Sequence, residues 1–132
     1  MTTAAIVRRF FSDQDGASAV EFAICGSFLI FLSLGVIEFG RAFMIRNEVA
    51  YAADKATRTV LMNPSASTSA ITQSARDAFQ ENDSLLTVSV ANETVDGLSS
   101  RVITLSYQVQ LLIPAFSSNS FAVTVRRRVS RG

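Results

Sequence analysis

Residues 16–41 read GASAVEFAICGSFLIFLSLGVIEFGR, and the rest of the chain is arranged around them. From residue 22 to residue 37 no side chain is charged, and no proline interrupts the run. With residues 17–20 and Phe39 added, it forms a helix of about 20 residues, roughly 30 Å long, which matches a bilayer core. A backbone crossing lipid must satisfy its own hydrogen bonds, and a helix does so within one segment. The run is too apolar for a surface helix, so it is expected to be a membrane anchor.

Glu21 is the anomaly inside it. An ionisable side chain in a membrane helix costs about 2.5–3.5 kcal/mol at the bilayer centre and less near either end. Two readings stand. In one, Glu21 lies at headgroup level. In the other it has a partner. If the chain is cut between Gly16 and Ala17, the new α-amino group lies four residues before Glu21. Positions i and i+4 share a helix face. Amine and carboxylate then neutralise one another, within a subunit or between neighbours, and fix the register of stacked helices. Ala19, Ala23 and Ser27 recur every four residues, a spacing that lets membrane helices approach closely. In an alanine-rich segment, chance produces the same stripe.

Gly16, the apolar run after it and Glu21 resemble a type IV prepilin cleavage site. In that family a glycine precedes the cut and a glutamate stands at the fifth mature position, where Glu21 falls if counting starts at Ala17. The wider string GASAVEFAI, with GVIEFGR at residues 35–41, resembles the TadE-like pseudopilins of the tight-adherence (Tad/Flp) pilus system. The likeness spans residues 12–62, with Phe22, Glu38 and Arg41 as motif positions. Two departures leave the subfamily open: Phe22 stands where Flp-type sites often have tyrosine, and Gly26-Ser27 where members often have proline. The resemblance implies a bacterial inner-membrane subunit with a cytoplasmic amino terminus and a periplasmic head. Its implied partners are a prepilin peptidase, other pilins or pseudopilins, the inner-membrane Tad assembly platform and membrane lipid. It also implies a role in pilus assembly for surface adhesion and biofilm formation.

Outward from the run, residues 1–15 form a short polar leader. Arg8 and Arg9 favour a cytoplasmic amino terminus, although Arg41 and Arg46 nearly balance them on the other side. A secretory signal peptide would have a shorter apolar region of about 7–15 residues and a small-residue cleavage site. Here Glu38-Phe39-Gly40-Arg41 follows instead. An uncleaved single-pass anchor stays open as the alternative.

Helical periodicity continues through residues 38–62. Ala42, Ile45, Val49, Ala52, Ala56 and Val60 fall on one face, and Arg41, Glu48 and Lys55 on another. Asp54 and Arg58 form an i, i+4 pair. Asn63-Pro64 ends the helix, because a residue before proline disfavours the helical conformation. Residues 17–62 thus make one helix of about 45 residues. Residues 64–69 read as a small-residue linker. A short helix is expected over 70–80, with Ile71, Ala75, Ala78 and Phe79 inward, and residues 81–83 form a turn.

Then the period becomes two. Leu86, Val88 and Val90 alternate with polar residues, and Asp96-Gly97 signals a turn. Residues 101–113 alternate from Ile103 through Leu105, Tyr107 and Val109 to Leu111, and Pro114 stops them. Phe121, Val123, Val125 and Val129 mark a last strand. The fold class is α+β: a long amino-terminal transmembrane and stem helix, then a head with one short helix and a three-stranded antiparallel sheet. The expected divisions are a leader 1–16, membrane helix 17–40, amphipathic stem 41–62 and head 63–132.

Composition narrows the chemistry. Lysine and arginine number 12 and aspartate and glutamate 11, a net charge of +1 that names no polyanionic partner. Histidine is absent, which removes the commonest general base and a frequent metal ligand. No glycine-rich phosphate loop or metal cluster stands out, so no cofactor, small-molecule substrate or catalytic activity is expected. The single cysteine, Cys25, reads as a small apolar packing residue, with a reactive thiol as the alternative. Arg126, Arg127, Arg128 and Arg131 are basic but lack interleaved aromatics. They are expected to guard an edge strand or meet an acidic partner, not nucleic acid. Three function classes follow. They are a structural assembly subunit, an uncleaved anchor displaying a binding head, and an accessory subunit of a membrane complex.

Overall fold

The first element, α1, is one α-helix over Gln14–Met62. It begins three residues before the expected start at Ala17. It ends where the proline rule places its end, with the Asn63 amide donating to the Thr59 carbonyl at 3.0 Å. The computed structural model describes residues 14–95, 97–111 and 120–130. Internal contacts divide the chain between Ile37 and Glu38 into two units.

In the first unit, every large apolar side chain from Val20 to Ile37 is exposed, Phe22 to 79% and Phe31 to 67%. Among the described residues, the charge-free run therefore joins no internal core. Ser27 and Ser33 donate their hydroxyls to the carbonyls of Ala23 and Leu29, each at 2.8 Å. Their polar groups are thereby satisfied within the helix and suit an apolar surrounding.

In the second unit, the stripe Ile45, Val49, Ala52, Ala53, Ala56 and Val60 is buried. It forms one core cluster with Leu86, Ile103, Leu105, Tyr107, Val109 and Val129. The short helix α2 spans Thr68–Asp77, shifted by two residues at its start and three at its end from the expected 70–80. Ser67 caps it, its hydroxyl accepting from the Ala70 amide at 3.2 Å, so part of the supposed linker is helix signal. Ile71 and Ala75 face the core, and Phe79, beyond the helix end, is buried against Tyr107 with ring centroids 5.1 Å apart. The expected turn at 81–83 is a 3-10 turn over Asp83–Leu85, capped by Asn82.

Strands β1 (Leu86–Val95), β2 (Leu98–Gln110) and β3 (Ser120–Ser130) form an antiparallel sheet in the order β1-β2-β3. Val95 pairs with Leu98, so a two-residue connection joins β1 to β2. Gly97 has φ of 78°, a value that a residue with a side chain reaches only under strain. β2 starts three residues earlier than expected, because its pairing with β1 runs down to this tight turn. It ends at Gln110, and Leu111 is half-exposed outside the strand. Pro114, expected as the stop, lies outside the described residues, as does Arg131.

The arginine cluster is divided by the pleat. Arg127 lies on the core-side face and pairs with Asp54 at 2.8 Å, so the expected Asp54–Arg58 pair does not form. Arg126 and Arg128 lie on the other face and grip the two carboxylate oxygens of Glu93 on β1, at 2.6 and 2.7 Å, across the central strand. Val102 lies on that outer face between Ala91 and Arg128 and is buried there, although alternation alone would expose it. Arg101 turns inward, and its guanidinium donates to the Ala66 carbonyl at 2.7 Å and to Asn92 at 3.3 Å. It ties the connection after α1 to the sheet.

Candidate functional site

The candidate site is the amino-terminal stretch of α1 with the Glu38–Arg41 string that follows it. Gly16 and Ala17 lie inside the first turns of α1, not at its start, and both are exposed. A side-chain carbon placed at Gly16 would meet nothing within 4 Å. Glycine there answers no packing need. It makes the turn easier to open, since glycine is about 1 kcal/mol less favourable in a helix than alanine. A protease needs an extended substrate, so a cut after Gly16 requires this turn to unwind locally.

Glu21 and Phe22 are exposed, as are Ala19, Ala23 and Ser27. The four-residue stripe therefore presents an open strip of small side chains, and the Ser27 hydroxyl is already used within its own helix. Cys25 is an exposed free thiol.

Glu38 and Arg41 end the apolar run in the sequence, but they do not end it on every face. Glu38, Ile45 and Ala52 are seven residues apart and share a face, and Ile45 and Ala52 are fully buried. Accordingly Glu38 and Arg41 are only 13% and 33% exposed, with Arg41 Nη1 3.8 Å from Glu38 Oε1. The same nitrogen donates to the carbonyl of Gln110, the last residue of β2, at 2.9 Å. The motif string thus joins helix to sheet, a role that composition and spacing did not reveal.

Further along, Glu48 carries the clearest electrostatic tension. The sequence places it on a polar face, yet its Oε2 is buried without a hydrogen-bond partner. Burial pushes its carboxyl above the ordinary 4.5, and the nearby Glu81 adds to the rise. Tyr107 is also pushed up, chiefly by burial and next by Glu81. A raised carboxyl favours the protonated folded state. Its stabilising contribution is present below about pH 4.5 and is lost as pH rises through the folded-state value. Glu48→Gln should therefore raise stability at pH 8 by about 1 kcal/mol and flatten stability against pH across that window. Urea unfolding at pH 4 and pH 8, in detergent, checks this; equal gains at both values would refute it.

An open groove of about 580 Å³ lies between α1 and α2, lined by Tyr51, Lys55, Gln73, Ser74, Asp77 and Gln80 among others. The Lys55 ammonium sits 5.5 Å from the Tyr51 ring centroid. Among the described residues, no three His, Cys, Asp or Glu side chains are grouped to hold a metal ion.

The helix is long and apolar enough to cross a membrane, with a mean hydropathy of 2.2 in its most apolar window, none of it buried in the chain. Residues 16–58 match the family model described as TadE-like protein. The match begins at Gly16 and stops within α1, before α2 and the sheet. No curated protein and no solved structure matches the chain.

Proposed function

We propose, from a TadE-like segment over residues 16–58 and one membrane-length helix near the amino terminus, that this chain is a minor pilin or pseudopilin of a Tad/Flp-type pilus. It enters the inner membrane as a single-pass protein, amino terminus cytoplasmic and sheet-bearing unit periplasmic. A prepilin peptidase cuts after Gly16. The subunit then meets other pilins and the inner-membrane assembly platform, and serves adhesion and biofilm formation. Its work is packing, not catalysis: apolar helices leave lipid for one another, and Glu21 sets their register against the new amine of Ala17.

One coincidence carries this reading. The family match opens on Gly16, the residue before the inferred cut, and takes in the charge-free run, whose large apolar side chains from Val20 to Ile37 are exposed among the described residues.

Intact-mass and amino-terminal analysis of the mature protein tests it, in cells with and without prepilin peptidase. The expected mature chain starts at Ala17 only when the peptidase is present. A chain that keeps its leader with the peptidase active would make the anchor permanent and defeat the proposal.

A further inference from the structure

We infer that the lipid-facing surface of α1 extends past Glu38 and Arg41 to Met44, so that one rim of the second unit lies against the bilayer before any assembly. The inference rests on the single-pass part of the proposed function and not on cleavage.

The argument is one of faces. In the second unit, the buried stripe Ile45, Val49, Ala52 and Ala56 marks the side of α1 that meets the sheet. Glu38 and Arg41 stand on that side, bound to each other and to the Gln110 carbonyl. At 3.6 residues per turn, the opposite side of the same turns carries Phe39, Gly40, Phe43 and Met44. Phe39, Phe43 and Met44 are 70%, 63% and 53% exposed. The polar change on this outward side comes only afterwards, at Arg46 and Asn47, followed by Asp54 and Arg58, all exposed. The outward face is therefore apolar for about two turns after the first charge in the sequence.

Lipid is the occupant that fits. The apolar side chains continue along the same helix as the charge-free run. They stop at an exposed arginine without an ion pair among the described residues, whose stem can lie on apolar surface while its guanidinium reaches anionic headgroups. Phe121, 39% exposed and paired with Val109 beside Gln110, adds an aromatic at the same end of the sheet. A water-facing rim would leave three large apolar side chains on successive turns uncovered. From Val20 to Met44 the apolar surface covers about 25 residues, the upper end of what a tilted helix carries across a bilayer core. Glu21 then stands at the opposite end of the span, where its charge costs less than at the centre.

The test uses the full chain in a Cys25→Ser background, reconstituted at high lipid-to-protein ratio. Single cysteines at Phe31→Cys, Phe43→Cys, Met44→Cys and Arg58→Cys carry a polarity-sensitive fluorophore. Labels at 31, 43 and 44 should emit to the blue of the label at 58 and be quenched by brominated phospholipid. A quenched label at 31 with unquenched, water-accessible labels at 43 and 44 would overturn the inference while leaving the single-pass reading intact. Emission at 43 and 44 that follows the protein-to-lipid ratio but ignores bromine would assign the face to a second copy, and also overturn it. An unquenched label at 31 would defeat both readings.

Discussion

Replacing Leu105 by alanine should lower the unfolding free energy of the second unit by about 2–5 kcal/mol, toward the upper end of that range. Leu105 is fully buried at the middle of the central strand. On its face it stands between Val88 of β1 and Val125 of β3. The helix side of the same core supplies Ala52, Ala53 and Ala56. Alanine has no rotamers with which to refill a void, so the cavity left by the lost Cγ, Cδ1 and Cδ2 stays open and its cost stays high. A domain of this size is held by roughly 5–15 kcal/mol in all, and the variant therefore loses a large share of it. Thr104→Ala, on the outer face, should change stability by less than about 0.5 kcal/mol. Urea unfolding in detergent, followed by tyrosine emission, reads both, since the chain has two tyrosines and no tryptophan. A loss below 1 kcal/mol at Leu105 would mean that the helix does not close the core as described.

The elements that the sequence announced were those with one strong local rule behind them. Pro64 fixes the end of α1, and Gly97 marks the β1–β2 turn. The period-two run from Ile103 to Val109 fixes which side of β2 is buried. What escaped was decided by partners distant in the chain. Asp54 looks paired with Arg58 along the helix, yet Arg127 on β3 takes it. Val102 looks exposed by alternation, and is covered on a face crossed by the Glu93–arginine pairs. Glu38 and Arg41 look like the end of the apolar run, because a linear reading averages over all faces of the helix. Only the seven-residue step from Glu38 to Ile45 hints that both charges turn toward the sheet, and the sheet itself must be placed before that hint acquires meaning. For the candidate site, the run and its glycine were legible as types of residue. That Gly16 lies within a helical turn was not, since residues 14 and 15 carry no periodic signal of their own.

Glu21→Ala should leave the chain inserted and folded while removing it from assembly. The side chain is exposed in the first unit and belongs to no core cluster, so its loss should not touch the stability of the second unit. Insertion should become easier, since a charge near the membrane is removed. Cleavage after Gly16 should persist, because the bond lies about one turn away and its opening depends on the glycine. Under the proposed pairing, the Ala17 amine should then lose its partner. An unpaired ammonium packed among apolar helices is penalised far more than one at the headgroups. Each 1.4 kcal/mol of lost pairing lowers incorporation tenfold. A fall of about tenfold or more in the subunit recovered with sheared pili is therefore expected, with normal amounts of processed protein in the membrane fraction. Glu21→Gln should fail similarly, because it keeps the shape and loses the charge, whereas Glu21→Asp should retain part of the function. Equal recovery of the alanine variant and the parent would show that register is set elsewhere. The open strip of Ala19, Ala23 and Ser27 would then be the next surface to alter, with Ala23→Leu as the substitution that most directly blocks close approach.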